Sequence, residues 1–161
     1  MEKYLVKKAE IDGMEASAKK HFLNPNGQRA SKSLGDLTGL TGFGFHIVEV
    51  APGKDSTEFH VHSHEDECAY ILSGRGLAFI GDEEHEVAAG DFIGYRTGGK
   101  AHNLTNIGDE MLKYIVVGQR CDFDICDYPH KNKRIYSSKD GAWDLVDLEN
   151  IETSPGPISK K

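Results

Sequence analysis

Between residues 43 and 117 the chain carries short apolar runs parted by polar, glycine-rich breaks. The runs are 43–50, 58–61, 67–72, 77–80, 85–88, 92–96, 101–105 and 111–117, each of strand length and too short for an ordinary helix. Breaks such as 51–55, 74–76, 89–91 and 98–99 place turn residues at close, even spacing. Short strands so spaced predict an antiparallel sandwich or barrel, an all-β fold. Gly81-Asp82 and Gly108-Asp109, each between two such runs, are expected as hairpin tips.

The flanks are more polar. Residues 1–35 lack a sustained period and are expected as an N-terminal arm, with room for a helical turn or two in 9–20 and a turn at 24–27, Asn-Pro-Asn-Gly. The glycine- and threonine-rich stretch 34–42 suits a loop before the first core strand. The barrel core is then 36–118. Beyond Gly118 a C-terminal extension, 119–151, holds a short strand at 134–136 and an apolar segment, 142–148, around Trp143, which is expected to pack on the barrel or on a partner. Residues 152–161, with two prolines and two terminal lysines, are expected to be a disordered tail.

Length and charge narrow the class of protein. A chain of 161 residues suffices for one domain with a sizeable core. Its formal charge of −7 offers no basic face, so neither nucleic acid nor an anionic membrane is an expected partner. Small molecules or a second copy of the chain remain. The N-terminal segment lacks the apolar centre of a signal peptide, and no apolar run reaches spanning length, which predicts a cytoplasmic location. Cys68, Cys121 and Cys126 form no dense, even framework and are expected as reduced thiols. Cys68 is expected in the core, and Cys121-x4-Cys126 with His130 sits at the wide limit of zinc-knuckle spacing with no fourth ligand to pair with it.

The candidate chemistry is concentrated at 59–74. Three histidines and three acids fall within His60 to Glu67, directly before an apolar run. On a strand His60 and His62 share one face, so both imidazoles can grip one metal. If the chain turns at 63–66 and returns as a strand, Glu67 can join them as a carboxylate ligand. His64, Glu65 and Asp66 then fall in the turn. His102, which shares a strand face with Leu104, is the further ligand that the sequence offers. His46 faces the cavity if Val48 and Val50 face the core, and faces outward if Phe45 and Ile47 do. Arg96 and Lys100 are the expected contacts for an anionic substrate, with His46 as a weaker one. His85, among Glu83, Glu84 and Glu86, is expected to be exposed.

These residues resemble the cupins. The first cupin motif, G-x5-H-x-H-x3or4-E-x6-G, is matched by Gly53, His60, His62, Glu67 and Gly74, with one extra residue before the first histidine. The second, G-x5-P-x-G-x2-H-x3-N, is matched by Gly90, Gly98 or Gly99, His102 and Asn106, with Arg96 in place of the proline. The resemblance implies a cupin β-barrel, that is, a double-stranded β-helix or jelly roll with N- and C-terminal arms. It also implies one divalent transition metal per chain on His60, His62, Glu67 and His102, and a homodimer. Three imidazoles and a carboxylate suit Zn, Mn, Fe, Ni or Co and leave coordination positions open. The subgroup that this chain resembles includes proteins labelled by analogy as sugar-phosphate isomerases. A metal-dependent isomerase is therefore the first expectation; a dioxygenase using Fe(II) and a non-catalytic metal- or ligand-binding module are the alternatives. No motif names a general base, so the catalytic residues stay unassigned.

Overall fold

The computed structural model describes residues 3–154 and 156. The expected tail at 152–161 lies partly outside the described residues. A short helix, α1 (Lys8–Gly13), leads into a hairpin of β1 (Ser17–His21) and β2 (Asn24–Ser33). One helical turn, α2 (Leu34–Leu37), then delivers the chain to β3 (Phe43–Val50). The barrel strands follow as β4 (Val61–His62), β5 (Glu67–Ser73), β6 (Arg75–Ile80), β7 (Glu83–Ala88), β8 (Phe92–Tyr95), β9 (His102–Asn106) and β10 (Leu112–Gln119). The extension adds β11 (Phe123–Tyr128), β12 (Lys133–Ser138) and β13 (Trp143–Asp147).

One sheet runs β1-β2-β3-β10-β5-β8. Opposite it lie β7-β6-β9 and β13-β12-β11-β4, which meet where the His60 and His102 backbones exchange hydrogen bonds of 3.1 and 2.8 Å. Alternation fixes which side chains go inward. Val48 and Val50 of β3, Ala69 and Ile71 of β5, and Leu112 and Tyr114 of β10 are buried together, while Tyr70 and Leu72 face solvent. Ala78, Val87, Ile93, Tyr95 and Leu104 complete this core. A second, smaller cluster of Cys126, Tyr128 and Ile135, backed by Leu23, lies under the extension.

The all-β expectation holds, and several local details differ from it. Gly81-Asp82 is a two-residue hairpin, with Gly81 at φ +60°. Gly108-Asp109 is instead a crossover, since β9 pairs with β6 and β10 pairs with β3 and β5. Asn106 pins that crossover: its amide donates to Val50 O and Glu110 O, each at 2.8 Å, and its Oδ1 accepts from Gly108 N at 2.9 Å. A hairpin signal in sequence cannot see which sheet the next strand joins.

The turn expected at 24–27 also moves. The β1–β2 reversal occurs at Phe22-Leu23, and Pro25, Asn26 and Gly27 form a bulge between the pairs His21–Asn24 and Lys20–Gln28. Asn24 Oδ1 accepts the Asn26 N–H at 2.9 Å, an Asx turn within the strand. Residues read as an arm thus add two strands to the barrel's sheet. The loop at 34–42 contains α2. Cys68 shares its parity with outward-facing Tyr70 rather than with buried Ala69, so it lies on the outer face instead of in the core.

Candidate metal and substrate cavity

A cavity of about 770 Å³ opens between the sheets, lined by His60, His62, Glu67, His102, Tyr95 and Tyr114 together with residues of both flanks. His60 and His62 come from the strand read in sequence, and His102 heads β9 directly across from His60. Their ring centroids lie close: 5.0 Å for His60 to His62 and 4.6 Å for His60 to His102. Glu67 heads β5 between Tyr95 of β8 and Gly118 of β10.

Each imidazole is oriented through its Nδ1. His60 Nδ1 lies 2.8 Å from Glu58 O, and His62 Nδ1 lies 2.6 Å from the Asp124 carboxylate. His102 Nδ1 faces Lys100 O at 3.4 Å, and its ring stacks on Tyr95 at 3.6 Å between centroids, 7° from parallel. Anchoring one ring nitrogen leaves the other free to bind a metal. His102 Nε2 is fully buried with no hydrogen-bond partner among the described residues, an orphaned donor or acceptor that burial normally forbids. The donor set fits a divalent transition metal.

Electrostatics favour the same use. Burial, with His102 and His62 nearby, holds His60 well below its ordinary value. Burial lowers His102 to about 4, partly offset by the Lys100 carbonyl. Both are therefore neutral imidazoles near pH 7. Burial opposes charge on His62 too, but the Asp124 bond and the Glu67 and Glu65 carboxylates outweigh it and raise its pKa. Burial raises Glu67.

Among the described residues, two groupings bring three ligand atoms within 4.8 Å of one another: His60 with His62 and Cys126, and His62 with Glu65 and Asp124. Glu67 and His102 face the cavity but stand outside both groupings. Cys126 faces His62 across the β11–β4 ladder, and burial pushes its thiol up to about 12. Asp124, on the same strand, holds His62 through one oxygen and the His64 backbone N–H through the other, at 2.9 Å. His64 itself stays at the rim, its side chain 47 % exposed.

The expected substrate contacts fall in two places. His46 lines the cavity, since Val48 and Val50 face the core. Arg96 and Lys100 border a separate hollow of about 460 Å³, where Glu67 and Tyr95 also contribute, and Lys100 is bound to Glu83. Arg29, Asp124 and Cys126 line the histidine cavity without having been singled out for it in the sequence. Cys126 carried a partial signal as a potential ligand, but its partner is the histidine strand and not Cys121.

A family model described as the cupin domain matches residues 46–118. The chain is 43% identical to a protein of Acidithiobacillus ferrooxidans named as a candidate sugar phosphate isomerase, whose crystal structure superposes with a TM-score of 0.90 over 93% of this chain and 96% of that one. A second crystal structure, of a protein from Silicibacter pomeroyi named as a sugar phosphate isomerase of the cupin superfamily, is 25% identical over 90% of this chain and 95% of that one, with a TM-score of 0.77. An uncharacterized protein of Methanocaldococcus jannaschii is 35% identical over 80 residues, 50% of this chain. This match spans just over half, 56%, of that curated relative. The chain belongs to the cupin superfamily and is a small cupin of the bacterial kind. Among the described residues no helix is long and apolar enough to cross a membrane.

Proposed function

We propose that this cupin is a metal-dependent isomerase of a sugar or sugar phosphate, with one divalent metal held by His60, His62, Glu67 and His102. The observation that carries the reading is the buried, unpartnered Nε2 of His102 beside two imidazoles whose Nδ1 atoms are already engaged. The names given to the two similar structures support the substrate class.

When bound, the metal supplies a Lewis acid that polarises a substrate carbonyl. The chain's own groups do the rest. Tyr114, pushed up to about 12 by burial, stays protonated and donates to a substrate hydroxyl. His46, lowered chiefly by burial, faces the cavity as a neutral imidazole able to accept a proton. Cys126 remains a protonated neighbour of the histidines in this reading. Tyr70 and Phe92, cross-strand neighbours 44% and 66% exposed, leave apolar surface for the homodimer that the resemblance implies.

Elemental analysis of the purified protein beside His62→Ala tests the site. Near-stoichiometric metal in the parent and loss of nearly all of it in the variant is the expected outcome; equal metal in both removes the reading. A cobalt-substituted sample lacking thiolate-to-cobalt absorption would place Cys126 outside the ligand set. Aldose–ketose interconversion by the metal-loaded protein then tests the reaction.

A further inference from the structure

The strands β1 and β2 form one wall of the cavity, and that wall is cationic in a chain that is acidic overall. Lys19 and Arg29 stand directly opposite each other across the β1–β2 ladder. Like charges in that position repel and weaken the hairpin, so sequences ordinarily avoid them unless something negative sits between them. His21, two residues along β1 and so on the same face as Lys19, also lines the cavity.

Glu67 lies within electrostatic reach of Arg29, but no acid among the described residues closes an ion pair with either cation. Of the other cations of the cavity, Arg120 and Lys139 are paired with Asp36 and Asp122, and Lys20 has no ion pair among the described residues. Arg29 and Lys19 have no ion-pair partner among the described residues. Arg29 is half-buried and donates from one guanidinium nitrogen to Ser56 O at 3.3 Å, which leaves most of its donors free. Its charge reaches the centre of the site, since it acts on His60, Glu67, Tyr114 and Tyr128.

We propose that Arg29, with Lys19 beside it, anchors the phosphate group of the substrate, so that the cavity takes a phosphorylated sugar with its phosphate on the β1–β2 wall and its carbonyl end toward the histidines. A planar guanidinium presents paired donors to phosphate oxygens, and a second cation suits a dianion better than a single carboxylate. The proposal rests on the isomerase reading for the sugar end of the substrate, but not for the anion itself. Arg29 is a specificity residue, distinct from the expected contacts Arg96 and Lys100 on the other hollow.

The test is isothermal titration of the full-length protein with inorganic phosphate, then with glucose 6-phosphate, glucuronate and glucose, repeated for Arg29→Gln and Arg29→Lys. Arg29→Gln keeps a donor for Ser56 O, and circular dichroism with metal content certifies that each variant is folded and loaded. The parent is expected to bind phosphate and glucose 6-phosphate, and Arg29→Gln to weaken both about tenfold or more, with Arg29→Lys in between and glucose little changed. Failure of the parent to bind phosphate, or equal binding by parent and Arg29→Gln, overturns the proposal. Tighter binding of glucuronate than of glucose 6-phosphate also overturns it, in favour of a sugar acid. If phosphate binding depends on Arg29 while no aldose–ketose interconversion is found, the anchor stands and the isomerase reading falls. Interconversion with unchanged kcat and KM in Arg29→Gln gives the opposite result.

Discussion

The two hydrophobic clusters of this molecule do different work. The larger, around Ile71, Leu112 and Val50, closes the barrel, and only its Tyr95 and Tyr114 reach the cavity with a polar group. The smaller, of Cys126, Tyr128 and Ile135, holds the extension against the histidine strand, and its strand β11 carries Asp124 to His62. The aliphatic part of the larger cluster is thus remote from the histidines, while the smaller cluster is joined to them through β11. A substitution at an aliphatic position of the first is expected to change how well the protein folds, and one in the second how well the proposed site holds a metal.

The largest expected effect is at the barrel. Ile71→Ala, at a fully buried position, should cost about 4 kcal/mol in denaturant unfolding while the folded fraction keeps its metal affinity. Loss of metal affinity in proportion to stability would erase the distinction. Next comes acid. Below pH 6.5 an unfolded imidazole takes up a proton that folded His102 refuses until about pH 4, so the unfolded state is favoured as pH falls through that window. Metal-free protein should lose about 3 kcal/mol from this group between pH 7 and pH 4, and His102→Gln should flatten the profile. His62, raised instead of lowered, acts in the opposite sense and offsets part of the loss.

Ile135→Ala is expected to cost less, about 2 kcal/mol, because the small cluster leaves fewer neighbours to lose, yet it should weaken metal binding where Ile71→Ala does not. Competition with a chelating dye reads this directly. The smallest effect is the most local. Asp124→Asn should keep the fold and lower metal affinity about 10- to 100-fold by loosening the His62 ring, and an unchanged affinity would show that Asp124 serves the β4–β11 contact alone.

What could be read in the sequence follows the same division. The barrel strands were legible because inward residues alternate with outward ones at Val48, Val50, Ala69 and Ile71. His60, His62, Glu67 and His102 stood out because motif spacing is a local property. Asp124, Cys126 and Arg29 did not, since each reaches the cavity only through a long-range pairing: β11 with β4, and β2 with β3. The crossover at Gly108-Asp109 was misread for the same reason. The outward Cys68 is a matter of parity, which a single polar-looking thiol does not set.

The bond between Asp124 and His62 joins groups 62 positions apart. On the ribosome, His60, His62, Glu67 and His102 all emerge before Asp124 does. A metal ion arriving early would meet a His62 ring still free to rotate, held by the nascent barrel alone. On the proposed reading the extension therefore sets an order of events: β11 docks on the histidine strand, and only then would a metal be gripped at full strength.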